Sequence, residues 1–165
     1  MQILVAGFDR QKFVSRDDVI TALLRLPELH LRGIKVVRYD PNRIIATTMT
    51  WLTDEPLPPG TRGSYYQSEN MSAIVVWNFS SREEFYHILY HEVGHYVFMR
   101  TLRQHQRDQW MKEIRPREPQ TVSTYARKNS REDFSESYAA WVNKDPSLDK
   151  CPLRKAFIKH EVFAE

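Results

Sequence analysis

Cysteine is nearly absent from this chain of 165 residues, which contains only Cys151. A single thiol cannot form an internal disulfide, so nothing in the sequence requires an oxidising compartment. Cys151 also has no histidine close to it in the sequence that would activate it. We therefore expect a small, buried apolar residue near a helix start rather than a reactive thiol.

Long hydrophobic runs are absent as well. No stretch approaches the roughly 18 apolar residues that a membrane-spanning helix needs. The first residues, MQILVAGFDRQKF, lack the basic start and the small-residue cleavage site of a signal peptide. We expect no membrane partner. A cytoplasmic protein and a protein secreted or injected after processing both remain compatible with this pattern.

Charge of one sign is in small excess, since 24 basic and 21 acidic residues leave a net charge of +3. The densest basic run is RTLRQHQRDQWMKEIRPR, residues 100–117. It could contact phosphates or an acidic substrate, but such runs are usually solvated helix faces. We therefore do not expect a nucleic-acid partner. The length predicts one domain, residues 1–165, and we expect a monomer.

The residue pattern changes from strand-like to helical along the chain. β-branched and apolar runs predict strands over 2–8, 33–40, 43–52 and 73–79, with an early helix over 17–26. Helical patterns then follow over 81–102, 104–114, 131–143 and 152–162. Strands followed by helices predict an α+β fold.

Capping residues and prolines predict where the helices begin and end. Ser15 is a candidate N-cap for the first helix. Two later serines, Ser81 and Ser130, each have an acidic residue three positions on, which is a capping-box pattern. Pro116 should end the helix before it, and Pro146 should block the helix over 131–143.

Residues 91–95, HEVGH, match the H-E-x-x-H motif on a predicted helix. His91 and His95 lie one turn apart on the same face, so both can reach one Zn²⁺. Glu92 is rotated by about 100° from His91. There it can take a proton from a zinc-bound water and pass it to the leaving amine. Gly94 costs about 1 kcal/mol of helix propensity, which close approach of another backbone would justify.

A catalytic zinc site needs a third protein ligand, with water in the fourth position. Phe98 and Thr101 stand where one subclass continues with glycine and histidine, so that subclass is excluded. A later glutamate is the alternative, and Glu132 and Glu136 lie one turn apart on the predicted helix over 131–143. We take Glu132 as the ligand. Glu136 would accept a hydrogen bond from the free ring nitrogen of a ligating histidine.

His87 lies one turn before His91, and a site with an open position does not need it. We interpret His87 as a bystander that is solvated, although it could also support a ligating residue from behind or form part of the cleft wall.

The stretch HEVGH, followed by STYARKNSREDFSESYAAWV, resembles the catalytic domains of the anthrax-lethal-factor-like metallopeptidases. These include the Pro-Pro endopeptidases and are zincins of the gluzincin type. In that family a tyrosine precedes a glutamate ligand by seven residues, and a second acidic residue follows four later. Tyr125, Glu132 and Glu136 hold this spacing, and GSYYQSENMSAIVVWNF resembles the family's glycine-tyrosine segment. The resemblance covers about residues 60–143.

The resemblance implies a zincin-like fold, in which a small mixed sheet has an edge strand above an active-site helix and a helical C-terminal part follows. It implies zinc bound by His91, His95 and Glu132, with Glu92 as the general base. Tyr125 would donate its phenol O–H to the tetrahedral oxyanion, a contribution of a few kcal/mol.

The same resemblance makes the strand over 73–79 an edge strand, onto which an extended peptide docks by β-augmentation. We expect substrate contacts at four residues on this strand and the one before it, namely Tyr65, Tyr66, Ile74 and Val76.

The predicted function is therefore a zinc endopeptidase that acts on a peptide or protein substrate. Two alternatives stay open. One is an intracellular peptidase of the repressor-cleaving type, which uses the same motif with a later glutamate. The other is a non-catalytic zinc-binding module whose basic helix contacts a protein or nucleic acid. Glu92 argues against the module, because a structural zinc site has no use for an adjacent base.

Overall fold

The structure is a computed structural model of the chain, and it describes residues 2–44, 60–67 and 72–164. Contacts within the chain group it into two compact units, Met1–Glu92 and Val93–Glu165. The described strands all belong to the first unit, and the second unit is helical. The prediction of an α+β fold is confirmed, while the single domain over 1–165 stays a prediction.

Four strands form a mixed sheet in the first unit: β1 (Leu4–Ala6), β2 (Ile34–Tyr39), β3 (Gly63–Gln67) and β4 (Ser72–Val76). Their order is β1-β2-β4-β3, with β3 antiparallel to β4 and the other neighbours parallel. β4 is therefore an inner strand. The prediction of an edge strand over 73–79 is wrong, because β3 pairs with all of β4. The predicted strand over 43–52 lies almost entirely outside the described residues.

Helix α1 (Arg16–Leu24) follows β1 and begins at the predicted cap. The Asp18 N–H donates to Ser15 Oγ at 3.1 Å, and the Ser15 N–H donates to Asp18 Oδ2 at 2.8 Å. Both halves of a capping box are therefore present. α1 buries Val19 and Leu23, so its apolar stripe contributes to the core of the first unit.

Helix α2 (Arg82–Tyr96) continues as a π-helical turn over Val97–Thr101, close to the predicted range. Ser81 Oγ accepts from the Glu84 N–H at 3.1 Å. The Glu84 carboxylate turns to Ser80 instead, accepting from its N–H at 2.6 Å and from its hydroxyl at 2.7 Å. Only one half of the predicted capping box is therefore formed.

The second unit contains α3 (Gln104–Gln109), α4 (Arg115–Arg117), α5 (Ser130–Asn143) and α6 (Pro152–Phe157), with π-helical turns after α3 and α6. Trp110 is its central aromatic residue, with ring centroids 5.2 Å from both Phe134 and Phe157. None of the helices in the described part of the chain is both long and apolar enough to span a membrane.

Two boundaries in the second unit differ from prediction. Pro116 does not end the helical path, which runs from the π-helical turn Trp110–Ile114 into α4 and continues to Arg117. α5 is capped by Asn129 rather than Ser130. The Asn129 side chain accepts from the N–H groups of Arg131 and Glu132, both at 3.0 Å.

A buried ion cluster joins α5 to α6. Arg154 is 1% exposed, and its Nε and Nη2 donate to the two carboxylate oxygens of Asp133 at 2.9 and 3.0 Å. Its Nη1 donates to Glu118 Oε2 at 3.0 Å. Burial raises the pKa of Asp133, and the Arg154 guanidinium opposes that shift. The cluster fixes the rotation of α5, on which Asp133 directly follows Glu132.

Candidate metal centre

α2 carries both histidines of the motif on one face. The helix is unbroken from Arg82 to Tyr96, so His91 and His95 stand one turn apart. Phe85, Leu89 and Val93 are fully buried on another stripe of the same helix. Burial of this stripe fixes the orientation of the helix about its own axis. His91 is buried, and the His95 side chain is 17% exposed.

α5 brings Glu132 to His95. Glu132 Oε2 lies 3.3 Å from His95 Nε2. Two ligand atoms on one tetrahedral zinc with bonds of about 2.0–2.1 Å are about 3.3–3.4 Å apart, so this separation fits a shared ion. One ligand atom from each of His91, His95 and Glu132 lies within 4.8 Å of the other two. Two imidazoles and a carboxylate are a donor set that suits zinc.

Gly94 and Ser135 mark a very close approach of two backbones in the second unit. A Cβ built at Gly94 would lie 2.8 Å from Ser135 Cα and 3.3 Å from its carbonyl oxygen. The prediction that close approach justifies this glycine is confirmed. Gly94 precedes His95, and Ser135 lies three residues after Glu132. The approach therefore sets how near the imidazole and the carboxylate come.

Glu92 is buried, with 6% of its surface exposed. β3 passes close to it at Gly63, where an added Cβ would lie 3.4 Å from Glu92 Oε1 and 2.7 Å from Ile88 Cγ2. The strand can run this close to α2 because Gly63 has no side chain. The role of Glu92 as the base stays a prediction.

Tyr125 begins a short 3-10 turn, Tyr125–Arg127, that packs against α5. Ala126 is fully buried and anchors the turn, whereas Tyr125 is 43% exposed. The Lys128 ammonium lies 5.3 Å from the centroid of the Tyr125 ring. The phenol is thus accessible on the segment that leads into α5. Its role as an oxyanion donor stays a prediction.

His87 and Glu136 form a second group with His91. One ligand atom of each lies within 4.8 Å of the other two. His87 is half-buried and Glu136 is 5% exposed. The interpretation of His87 from sequence stays a prediction. One-turn spacing recurs from His87 to His91 and again from Glu132 to Glu136.

The four predicted substrate-binding residues have different surroundings. Ile74 and Val76 on β4 have no exposed surface, so their side chains cannot contact a substrate, and we withdraw that prediction. Tyr65 and Tyr66 on β3 are half-buried. The Tyr65 hydroxyl lies 2.9 Å from Ser72 Oγ, while burial raises the pKa of the Tyr66 phenol. Substrate contact by the two tyrosines stays a prediction.

Cys151 is fully buried at the start of α6. Its Sγ lies 3.6 Å from the Gln120 carbonyl oxygen, and burial raises the pKa of the thiol. A protonated, inaccessible thiol is a poor nucleophile. The prediction of a buried residue near a helix start is confirmed.

No protein-family model matches this chain, and no curated protein matches it significantly. The family resemblance over residues 60–143 therefore stays a prediction, and the function is argued from the site itself.

Proposed function

We propose that the chain is a zinc-dependent endopeptidase with His91, His95 and Glu132 as metal ligands. The observation that carries the proposal is the 3.3 Å separation of His95 Nε2 and Glu132 Oε2. His95 lies on the same helix as His91, one turn further along. Glu92, next to His91, adds a buried carboxylate that a purely structural zinc site does not need.

A bound zinc ion would polarise the scissile carbonyl and lower the pKa of a coordinated water. The Glu92 carboxylate accepts a proton from the attacking water and delivers it to the nitrogen of the leaving amine, so the proton count balances. The Tyr125 hydroxyl donates a hydrogen bond to the oxyanion that forms at the carbonyl. Glu136 accepts a hydrogen bond from a His91 ring nitrogen and keeps that ring oriented.

β3 replaces β4 as the proposed docking strand for the substrate. In the described sheet β3 is the last strand, and Gly63 brings it close to Glu92. An extended peptide paired with β3 would gain main-chain hydrogen bonds. Tyr65 and Tyr66 point to opposite faces of the strand, so one of them can contact alternate substrate side chains. This arrangement is the zincin-like part of the proposal.

Two competing interpretations of the metal centre need a test. The His95–Glu132 distance also fits an ion pair of protonated His95 without a metal, and His87, His91 and Glu136 form another potential ligand group. Zinc content after metal loading separates them.

We expect stoichiometric zinc in the wild type, and a drop of roughly 100-fold or more in zinc affinity for His95→Ala and Glu132→Ala, because each removes one of three ligands. His87→Ala should keep its zinc, as should the control His105→Ala, which alters an exposed histidine outside both groups. Loss of zinc in His87→Ala with retention in His95→Ala would move the metal to the second group. Absence of zinc from the wild type would favour the ion pair.

Peptidase activity is tested with an unbiased peptide library. We expect cleavage by the zinc-loaded protein, none after chelation, and recovery after zinc is restored. Cleavage products also show the sequence preference, which separates a broad endopeptidase from an enzyme of the repressor-cleaving type. A zinc-loaded protein that cleaves neither the library nor any folded protein would favour the non-catalytic module.

A further inference from the structure

Positive charge is concentrated in one segment of the second unit. Residues 100–131 contain nine lysines and arginines and three aspartates and glutamates, an excess of six charges, whereas the whole chain carries only +3. One of the three acids, Glu118, is buried and bonded to Arg154. The exposed part of this segment is therefore still more basic than its composition indicates.

Four arginines of this segment border two open hollows that adjoin each other. Arg115 and Arg127 line the first hollow, and Arg107 and Arg131 line the second. Met111 lines both hollows. We refer to these four residues, together with Met111, as the arginine surface.

Two of the four guanidinium groups are held in place by backbone carbonyls. Arg107 Nη1 donates to the Leu102 carbonyl at 2.6 Å, and Arg115 Nη2 donates to the Arg127 carbonyl at 3.1 Å. A carbonyl acceptor carries no net charge, so these bonds orient the cations without neutralising them. Oriented charges lose less side-chain entropy when they bind an anion.

Two acidic residues near the arginine surface, Asp108 and Asp133, have other partners. Asp108 pairs with Lys112 at 3.3 Å and accepts from Gln104 at 2.8 Å. Asp133 lies 3.8 Å from Arg115 Nε, but Arg154 already binds both of its oxygens. Positive charge on the surface is thus only partly compensated.

Two residues of the arginine surface are close in sequence to residues proposed for catalysis. Arg131 directly precedes Glu132, and Arg127 comes two residues after Tyr125. Both pairs belong to the second unit.

We propose that the arginine surface is an exosite that binds an acidic stretch of the polypeptide substrate. The proposal rests on the peptidase function above and names its substrate class. The hollow walls favour polypeptide over nucleic acid, because they include Met99, Met111, Pro116 and Pro119. Phe98 is the one aromatic residue among the described lining residues, and it is 3% exposed, so no open ring is offered there for base stacking.

The exosite is tested by binding rather than by cleavage. A fluorescent peptide rich in glutamate, and the same peptide with glutamine at each glutamate position, are titrated with the Glu92→Ala protein. We expect the glutamate peptide to bind about ten-fold or more tightly at low salt, with the preference shrinking as salt is added. The double variant Arg127→Gln/Arg131→Gln should lose most of that preference. Both side chains are exposed, so the fold should persist.

The matched control is Lys144→Gln/Lys159→Gln, which removes two exposed charges of the same unit outside the hollows. It should retain the preference for the glutamate peptide. Equal binding of the two peptides, or equal loss in both double variants, would overturn the proposal. Displacement of the glutamate peptide by a lower concentration of single-stranded DNA of the same charge would overturn the choice of polypeptide. If the zinc-loaded protein does not cleave the peptide library, the proposed peptidase function fails. The binding measurements with the two peptides do not depend on that result.

Discussion

At Gly94, helix propensity and packing act in opposite directions. Replacing glycine by alanine inside a helix normally stabilises it by about 1 kcal/mol. Here the added methyl group would lie 2.8 Å from Ser135 Cα, and a backbone atom cannot turn away as a side-chain end can. Gly94 therefore keeps His95 within 3.3 Å of Glu132.

For Gly94→Ala we expect a loss of about 1–3 kcal/mol in the free energy of unfolding, because over-packing outweighs propensity. Zinc affinity should also fall, since the two ligands move apart. Urea unfolding and zinc titration measure the two effects. Ser135→Ala is the control at the same close contact between the two backbones. It leaves Cα in place, and Ser135 Oγ has no hydrogen-bond partner among the described residues. A Gly94→Ala protein more stable than wild type, with unchanged zinc affinity, would refute the packing argument.

At the scale of elements, α5 carries Glu132 and Glu136 of the proposed metal centre. The first turn of α5 depends on Asn129. The Asn129 side chain accepts two backbone N–H groups, one of them from Glu132 itself. The cap therefore fixes the backbone of the third proposed ligand as well as the start of the helix.

Asn129→Ala should lower the free energy of unfolding by about 1 kcal/mol, because two N–H groups lose their acceptor. Ser130→Ala is the matched control, since Ser130 is already the first helical residue and alanine is favourable there. Chemical denaturation of the two variants decides between the caps. A larger loss for Ser130→Ala would restore the cap predicted from sequence.

Helices are the features that local sequence patterns predict best here. Periodicity and Ser15 place α1 correctly, and the one-turn spacing of His91 and His95 on one helix is as predicted, while their role as metal ligands stays a prediction. Adjacent candidates are harder to separate, because Asn129 and Ser130 both suit an N-cap and only the backbone conformation distinguishes them.

Long-range pairing is where sequence patterns fail. An apolar run such as that of Ile74 and Val76 predicts a strand but not its neighbours. β4 is an inner strand only because β3, earlier in the sequence, folds back on it. The approach of Gly63 to Glu92 depends on the same pairing, and no local pattern encodes it.

At the scale of the whole chain, the second unit is organised around a buried charge rather than around apolar residues alone. Arg154 binds Asp133, Glu118 and the Gln120 carbonyl with five hydrogen bonds from its guanidinium group. These partners come from α5 and from the connection that precedes it. One residue of α6 thereby ties together distant parts of the unit.

Arg154→Ala should destabilise the protein by about 3–5 kcal/mol, because it leaves two carboxylates buried without their cation. Arg103→Ala, which removes an exposed arginine of the same unit, should change stability by less than about 0.5 kcal/mol. Thermal and chemical unfolding of both variants provide the comparison. Similar stabilities of the two would mean that the cluster does not organise the unit.

Glu92 tests the central claim most directly, because it separates catalysis from metal binding. Wild type and Glu92→Ala are brought to equal zinc content, and their cleavage of one peptide library is measured side by side. The proposed mechanism predicts bound zinc in both proteins and a fall in cleavage of at least about 100-fold for Glu92→Ala, since the general base is gone. Cleavage at a wild-type rate by zinc-loaded Glu92→Ala would contradict it.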